Sequence, residues 1–282
     1  MTGKGPIGVF DSGYGGLTIL HQFQKVMPQY DYLYLGDNAR SPYGIRSFDT
    51  IYEYTLEAVK YLFTQDCQLI ILACNTASAK ALVNIQKLDL PKIDPSRRVL
   101  GVIRPTAETI GELTQSGHVG ILATEGTVNS ESYLLEMKKL YPEVEVYQEA
   151  CPMWVPLIEN GELDSIGARY FIKRNIDNLL IKSPEIDAIL LGCTHYPVLQ
   201  EVIKEYVPEH VQILTQGKII AQSLKDYLLR HPDMDSKCTK NGLTTYLTTG
   251  SAEDFDKRAS SFLDQTIESS RVESLLTEEV YI

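Results

Sequence analysis

Short apolar runs alternate along this chain with longer segments whose apolar residues recur at helical spacing. The runs predict buried strands, and the helical spacing predicts amphipathic helices. The predicted strands are 6–10, 32–35, 69–73, 98–103, 118–122, 145–147, 189–192, 211–214 and 243–249. The predicted helices are 17–26, 48–63, 76–88, 105–116, 133–140, 169–181, 218–229 and 252–264, with a turn at 123–126 and a loop at 151–159. Because strands and helices alternate, we expect an α/β fold with open, mainly parallel sheets and helices on both faces.

The first and second halves of this pattern repeat each other in register. Residue 7 of the first strand corresponds to residue 119, and Cys74 corresponds to Cys193. The repeat predicts two similar domains related by a pseudo-two-fold axis, with the active site in the cleft between them. We place the first domain at 1–98 plus 212–282, since the C-terminal third is too short for a domain of its own, and the second at 99–211. The weakly patterned tail 269–282 is expected to be a peripheral addition.

Two of the predicted strands run directly into a cysteine, Cys74 in one case and Cys193 in the other. Open α/β sheets bind ligands at the carboxyl ends of their strands, so both thiols are expected to face one cavity. A single buried cysteine is usually a core residue, but two at equivalent places of a repeat indicate a shared site. A thiolate and a thiol on opposite sides of a carbon atom can remove a proton from one face and return one to the other, which is racemisation.

The residues around the two thiols suit this chemistry. Asn75, Thr76 and Thr194 follow the cysteines, and with backbone amides at helix starts they are expected to hold an α-carboxylate and an enolate-like state without a cofactor. Strand-to-helix junctions also lower the pKa of a thiol toward neutrality. Asp11 ends the first strand and His195 follows the second thiol, so each is expected to take or relay a thiol proton. Without the thiols, they would be interpreted as a helix cap and an ordinary hydrogen-bonded histidine.

Composition and charge exclude several classes of function. The chain has 282 residues, of which 44% are hydrophobic and 22% charged, and no apolar stretch approaches the length of a membrane span. With no secretory signal recognised near residue 1, we expect a cytoplasmic protein. The net charge of -11 disfavours nucleic acid as a partner. Five cysteines without zinc-type spacing favour neither a disulfide framework nor a metal site, and the turn 11–16 lacks the spacing of a nucleotide-binding loop.

Four motifs closely resemble those of the bacterial glutamate racemase family. They are Phe10-Asp-Ser-Gly-Tyr-Gly-Gly-Leu-Thr18, Gly36-Asp-Asn-Ala-Arg-Ser-Pro-Tyr-Gly44, Ala73-Cys-Asn-Thr-Ala-Ser78 and Leu191-Gly-Cys-Thr-His-Tyr-Pro197. Supporting segments are 124–127 with Ser130 and Tyr133, the motif at 151–159, and 248–250. The likeness runs in order over about residues 5 to 265.

The resemblance implies a cofactor-independent interconversion of L- and D-glutamate that supplies D-glutamate for peptidoglycan. By this analogy Cys74 takes the α-proton of D-glutamate and Cys193 that of L-glutamate, while Asp11 and His195 assist and Glu159 acts near His195. The positions that match the family's substrate-contacting residues are Asp11, Ser12, Tyr43, Gly44, Asn75, Thr76, Thr194 and His195, with Thr124 and Thr127 as further candidates. We also expect a homodimer.

The chain departs from the family pattern in two places. It has Leu214-Thr-Gln-Gly217 where the family commonly has an Ile-Asp-Ser-like turn, and its tail beyond about residue 264 is longer than expected. Three alternatives stay open at this point: an aspartate racemase with the same two-thiol chemistry, an acyl-transfer enzyme built on Cys193 and His195, and an amino-acid-binding protein. The second leaves Cys74 unexplained, and the third requires no thiols.

Overall fold

The computed structural model describes residues 3–263, 265–273 and 275. The strands are β1 (Ile7–Asp11), β2 (Tyr32–Gly36), β3 (Leu69–Leu72), β4 (Arg98–Gly101), β5 (His118–Ala123), β6 (Glu145–Ala150), β7 (Ala188–Gly192), β8 (Gln212–Leu214), β9 (Thr244–Thr248) and β10 (Ser269–Arg271). The helices are α1 (Leu17–Val26), α2 (Phe48–Thr64), α3 (Asn75–Lys80), α4 (Leu82–Asn84), α5 (Leu90–Ile93), α6 (Ile103–Leu113), α7 (Glu125–Asn129), α8 (Ser132–Leu140), α9 (Trp154–Glu159), α10 (Ile166–Leu180), α11 (Gln200–Lys204), α12 (Gln216–Arg230), α13 (Pro232–Asp235) and α14 (Ala252–Leu263). Strands and helices alternate as the sequence pattern predicts.

Within this part of the chain the strands form two sheets, and every strand pair is parallel. The larger sheet has the order β10-β9-β2-β1-β3-β4, and the smaller has the order β6-β5-β7-β8. The order β2-β1-β3-β4 is thus repeated as β6-β5-β7-β8, so that β1 corresponds to β5 and β3 to β7. The α/β class with two parallel sheets is confirmed, and the repeat seen in the sequence has a structural counterpart.

Two edge strands lie in the opposite sheet from the one predicted. β4, which was predicted to begin the second domain, pairs with β3 of the larger sheet. β8, which was predicted to belong to the first domain, pairs with β7 of the smaller sheet. In each case the strand covers the outer edge of a fully buried strand whose backbone groups would otherwise lack partners. The predicted boundaries at 98 and 212 therefore assign the two strands β4 and β8 to the wrong sheets. The division of the chain into two domains stays a prediction.

The C-terminal segment also differs from its prediction. Residues 269–271, for which no strand was predicted, form β10 at the edge of the larger sheet by pairing with β9. Of the rest of the predicted tail, residues 274 and 276–282 lie outside the described residues.

The segment 151–159, predicted to be a loop, contains helix α9. The helix tolerates Pro156 because this residue lies in the first turn, where no backbone donor is required. Trp154 is fully buried against Tyr196, with ring centroids 4.8 Å apart. Packing of this indole, which no local pattern reveals, fixes the helix against the residues that follow β7.

Two other helical segments differ from their predictions. The turn at 123–126 is shorter than expected, because the Thr124 side chain accepts a hydrogen bond from the Thr127 amide and starts helix α7. The segment 76–88 is not one helix: α3 and α4 are followed by a π-helical turn over Ile85–Asp89. The Ser78 hydroxyl donates to the Leu72 carbonyl, which ties α3 to the end of β3.

The central strands β1, β3 and β7 are completely buried, with helices packed on both faces of each sheet. A rigid scaffold therefore holds the residues that follow these strands at the carboxyl ends of the strands. This is the usual place for a ligand site in an open parallel sheet. No helix in the described ranges is long and apolar enough to cross a bilayer.

Candidate active site

One cavity collects residues that follow four central strands. Ser12 follows β1, Cys74 follows β3, Thr124 follows β5 and Cys193 follows β7. The cavity measures about 70 Å³. The two thiols therefore face one small space from different sheets, as the repeated pattern of a strand followed by a cysteine predicts.

Cys74 lies at the start of helix α3, and only 5% of its surface is exposed. Its Sγ donates a hydrogen bond to Ser12 Oγ at 3.4 Å. Burial and the charge of Asp11 raise the pKa of Cys74 to about 12, although the Ser12 hydroxyl and the Ala77 amide favour the thiolate. The expectation that the helix start lowers this pKa is wrong, because desolvation outweighs the helix. Cys74 is a neutral thiol near neutral pH.

Cys193 is as buried as Cys74, at 6% exposed, but it lies beside a histidine. Its Sγ is 3.9 Å from Nδ1 of His195, and Nε2 of the same ring is 3.2 Å from Oε1 of Glu159. Burial alone would lower the pKa of His195, but hydrogen bonds to Cys193 and Glu159 and the charges of Cys193 and Asp11 raise it to about 10. His195 is therefore an imidazolium near neutral pH. Cys74 thus lies near an aspartate, whereas Cys193 lies beside a histidine.

Asp11 lies behind the cavity at the end of β1 and is fully buried. Its Oδ2 accepts a hydrogen bond from the Gly13 amide at 2.9 Å, and its Oδ1 accepts one from the Thr194 hydroxyl at 3.4 Å. Burial raises the pKa of Asp11, while the charge of His195 and the amides of Gly13 and Gly16 oppose the increase. Asp11 thus joins the loops of the two sheets, in addition to lying near Cys74 as predicted.

Gly15 allows these two loops to approach each other. A Cβ atom at this position would lie 2.3 Å from Thr194 Oγ1 and 2.6 Å from His195 Nδ1. The Thr18 hydroxyl donates to the Gly15 carbonyl at 2.8 Å and also lies 3.3 Å from the Thr194 carbonyl. The glycine-rich turn therefore serves close packing between the two sheets at the site.

Tyr43 and Gly44 line the cavity on a loop that Asp37 holds in place. Buried Asp37 accepts hydrogen bonds from Arg40 Nε and the Thr249 hydroxyl, each at 2.7 Å, and from the Tyr43 hydroxyl. Because Tyr43 uses its only O–H on Asp37, it cannot donate to a carboxylate in the cavity as well. Any contact of Tyr43 with the substrate is therefore made by its ring or backbone, and the side chain forms a wall of the cavity.

Three threonines connect the two sheets on the other side of the cavity. The Thr76 hydroxyl lies 3.0 Å from that of Thr124 and 3.4 Å from that of Thr127. The Gly44 carbonyl accepts a hydrogen bond from the Gly126 amide at 2.7 Å. Thr76 and Thr124 line the cavity, whereas Thr127 supports them from behind.

The cavity brings together most of the side chains that the sequence singles out. The predicted residues that line it are Ser12, Tyr43, Gly44, Cys74, Asn75, Thr76, Thr124, Cys193, Thr194 and His195. Asp11 and Glu159 contact these residues through the hydrogen bonds to Thr194 and His195.

Sequence reasoning missed two residues near the site. Cys151, which does not follow either of the two strands that run into a cysteine, is fully buried and also lines the cavity. Its place at the head of the 151–159 motif is the signal that could have indicated this. Gln216 is buried against Asn75, and its only signal is that it falls where the chain departs from the family pattern.

The chain is similar to racemases along most of its length. Residues 18–224 match the Asp/Glu/Hydantoin racemase family model. The glutamate racemase of Ruegeria sp. (strain TM1040) is 40% identical over 271 residues, which cover 93% of this chain and 97% of that protein. The chain belongs to the Asp/Glu/Hydantoin racemase family. The family expected from the motifs, and with it the class of amino-acid racemases, is confirmed.

Solved structures place this racemase among the glutamate racemases of the family. A glutamate racemase isoform from Bacillus anthracis has a TM-score of 0.88 at 31% identity and covers 97% of this chain and 99% of its own. The glutamate racemase of Francisella tularensis, solved in complex with D-glutamate, has a TM-score of 0.85 at 32% identity and covers 96% of this chain and 98% of its own. The fold of this racemase is therefore shared over almost the whole chain.

Proposed function

We propose that this racemase interconverts L- and D-glutamate by moving the α-proton between two thiols. The observation that carries the proposal is that Cys74 and Cys193, which follow corresponding strands of the two sheets, line one cavity and are equally buried, with His195 beside Cys193. An acyl-transfer site would use only Cys193 with His195, and a binding protein would use neither thiol. Relatives at 40% identity are glutamate racemases, which favours glutamate over aspartate as the substrate.

The reaction of L-glutamate starts at Cys193. Its thiolate takes the α-proton, so that the Cα–H bond breaks, an S–H bond forms, and the electron pair delocalises into the α-carboxylate. The Cys74 thiol then gives its proton to the opposite face of Cα and becomes a thiolate. D-Glutamate leaves an enzyme with its two protonation states exchanged, which is the form that starts the reverse reaction. Atoms and electrons balance, so the two thiols complete the chemistry.

The carbanion needs donors that are in place before the proton moves. Asn75, Thr76, Thr194 and Ser12 line the cavity and supply amide and hydroxyl groups for the carboxylates of the substrate. Because the cavity is small and largely enclosed by protein, hydrogen bonds to developing charge are stronger there than in water. We assign these four side chains to substrate binding.

Asp11 and His195 determine which thiol starts as the acid and which as the base. Cys193, which lies beside the His195 imidazolium, is assigned as the base for L-glutamate. Asp11 and burial keep Cys74 protonated, ready to act as the acid. Glu159 acts through His195 and is a positioning residue.

The finer biological setting follows from the family likeness. We propose that the enzyme is a cytoplasmic homodimer that supplies D-glutamate for peptidoglycan. The net charge of -11 disfavours nucleic acid as a partner.

The proposal is tested by incubating the purified protein with L-glutamate or L-aspartate in buffer without added cofactor. We expect D-glutamate to accumulate until the two enantiomers are equal, and aspartate to react at least about 100-fold more slowly. Chiral chromatography measures both. Racemisation of aspartate without racemisation of glutamate would reassign the substrate.

Glu159→Gln is expected to shift the alkaline limb of activity to lower pH. Glu159 helps to raise the pKa of His195 to about 10, so a neutral amide in its place should lower that pKa by about one unit. Since the folded-state pKa is raised, His195 remains an imidazolium at neutral pH and loses its proton as the pH rises through about 10. Its contribution to stability is complete below the unfolded pKa of about 6.5 and is lost as the pH rises through about 10. Profiles of kcat/KM against pH check this shift. Coincident profiles would show that Glu159 does not act on His195.

A further inference from the structure

Asn75 is held by Gln216, the first residue of helix α12. Asn75 Nδ2 donates to Gln216 Oε1 at 2.6 Å, and Gln216 Nε2 lies 3.2 Å from Asn75 Oδ1. Gln216 Nε2 also lies 3.0 Å from the Thr106 hydroxyl and 2.9 Å from the Tyr133 hydroxyl, and Tyr133 donates to Asn75 Oδ1 at 2.8 Å. The network is buried and joins four helices. Of its members, only Asn75 lines the cavity.

The direction of every hydrogen bond in this network follows from one carbonyl group. The Thr106 hydroxyl donates to the Val102 carbonyl at 2.6 Å, because a carbonyl oxygen can only accept. The Thr106 oxygen is left to accept, so the Gln216 group that faces it must be the NH₂ end. Gln216 Oε1 then faces Asn75 and must accept from Nδ2. The orientation of the Asn75 amide is thus fixed from outside the cavity.

We propose that Gln216 is a positioning residue that keeps the Asn75 amide turned with its NH₂ group toward the substrate. One of the two hydrogens on Asn75 Nδ2 is donated to Gln216 Oε1. The second hydrogen remains available in the cavity, where it can be donated to a substrate carboxylate. This inference rests on the proposed function, which gives Asn75 its role in binding glutamate.

Without the Gln216 amide, Asn75 can rotate by half a turn and present its oxygen to the carboxylate. We assign the Asn75 amide to a substrate carboxylate whose charge is the same in the bound substrate and in the transition state. Loss of this contact therefore raises KM and leaves kcat nearly unchanged. Gln216→Met keeps the length and volume of the side chain but removes both amide functions. We expect KM for glutamate to rise about tenfold, with kcat changed by less than about threefold.

The matched control is Gln222→Met, the same substitution on the exposed side of helix α12. We expect it to leave KM and kcat unchanged. The decisive comparison is with Asn75→Ala. If Gln216 acts through Asn75, the double variant Asn75→Ala with Gln216→Met has the KM of Asn75→Ala alone. Additive effects of the two substitutions would overturn the inference in favour of a general structural role.

A readout that is independent of activity separates this inference from the proposed function. In NMR spectra, one side-chain amide hydrogen of Asn75 should exchange slowly in the wild type and lose protection in Gln216→Met. Equal exchange in both proteins would contradict the inference even if glutamate is racemised, and a wild type that does not racemise glutamate would contradict only the proposed function. If Gln216→Met fails to fold, Thr106→Val removes the anchor of the network. It should raise KM in the same direction, and an unchanged KM would contradict the inference.

Discussion

Cys74→Ala and Cys193→Ala each lower kcat/KM for glutamate by at least about 10³-fold. Each substitution removes the thiol that transfers the proton on one side of the α-carbon, and a positioned acid or base contributes about 10² to 10⁴-fold to a proton transfer. Because the two enantiomers have equal free energy, kcat/KM must fall by the same factor in both directions, whichever thiol is removed. Racemisation followed by circular dichroism, starting from each enantiomer, measures this.

Cys238→Ala provides the control for the loss of a buried thiol. Cys238 is buried like the other two, but it packs in the core of the larger sheet and does not line the cavity. This variant should keep kcat/KM within about twofold, although it loses some stability because of the cavity that it creates. Full activity in Cys74→Ala or in Cys193→Ala would end the two-base account. Loss of activity only in Cys193→Ala would favour an acyl-transfer site with His195.

Iodoacetamide is expected to label Cys193 at least about 100-fold faster than Cys74 near neutral pH. Only the thiolate reacts. Cys193 lies beside the His195 imidazolium, whereas burial and Asp11 raise the pKa of Cys74 to about 12. The two thiols are 5% and 6% exposed, so access to the reagent is matched within one protein. Mass spectrometry of the alkylated peptides over time gives the two rates.

His195→Gln tests the cause of this difference. Without the imidazolium, labelling of Cys193 should slow by at least about tenfold while labelling of Cys74 changes little. The ultraviolet absorbance of the thiolate should fall in parallel. Faster labelling of Cys74 in the wild type would show that the resting proton lies on Cys193. Equal labelling of the two cysteines would show that they do not differ in ionisation, and would also contradict the account.

The sequence was sufficient to predict the α/β class, the repeat and the two thiols, because each depends on a local pattern. A continuous apolar run predicts a buried strand. A strand that ends next to Cys74 or Cys193 indicates a site at the carboxyl ends of the strands. No local pattern of this kind shows which of the two sheets an edge strand joins. β4 and β8 are short, and which neighbour each strand covers depends on where the chain crosses between the sheets.

Other features of the site depend on three-dimensional surroundings. Desolvation reverses the expected shift in the pKa of Cys74, and burial of this kind has no local signature. The hydroxyl of Tyr43 is taken by Asp37, and Gln216 meets Asn75 from a helix far along the chain. The motif that contains Tyr43 indicates its place in the site, but only the hydrogen-bond partner decides what its oxygen can do.

The central claim is that one thiol removes the α-proton and the other returns a different one. L-Glutamate is incubated with the purified enzyme in deuterium oxide, and both enantiomers are analysed by mass spectrometry early in the reaction. The account predicts that the D-glutamate formed carries one deuterium at Cα, delivered by Cys74, while the remaining L-glutamate keeps its protium. D-Glutamate that retains the original protium would mean that a single group carries the proton across both faces, and would contradict the account.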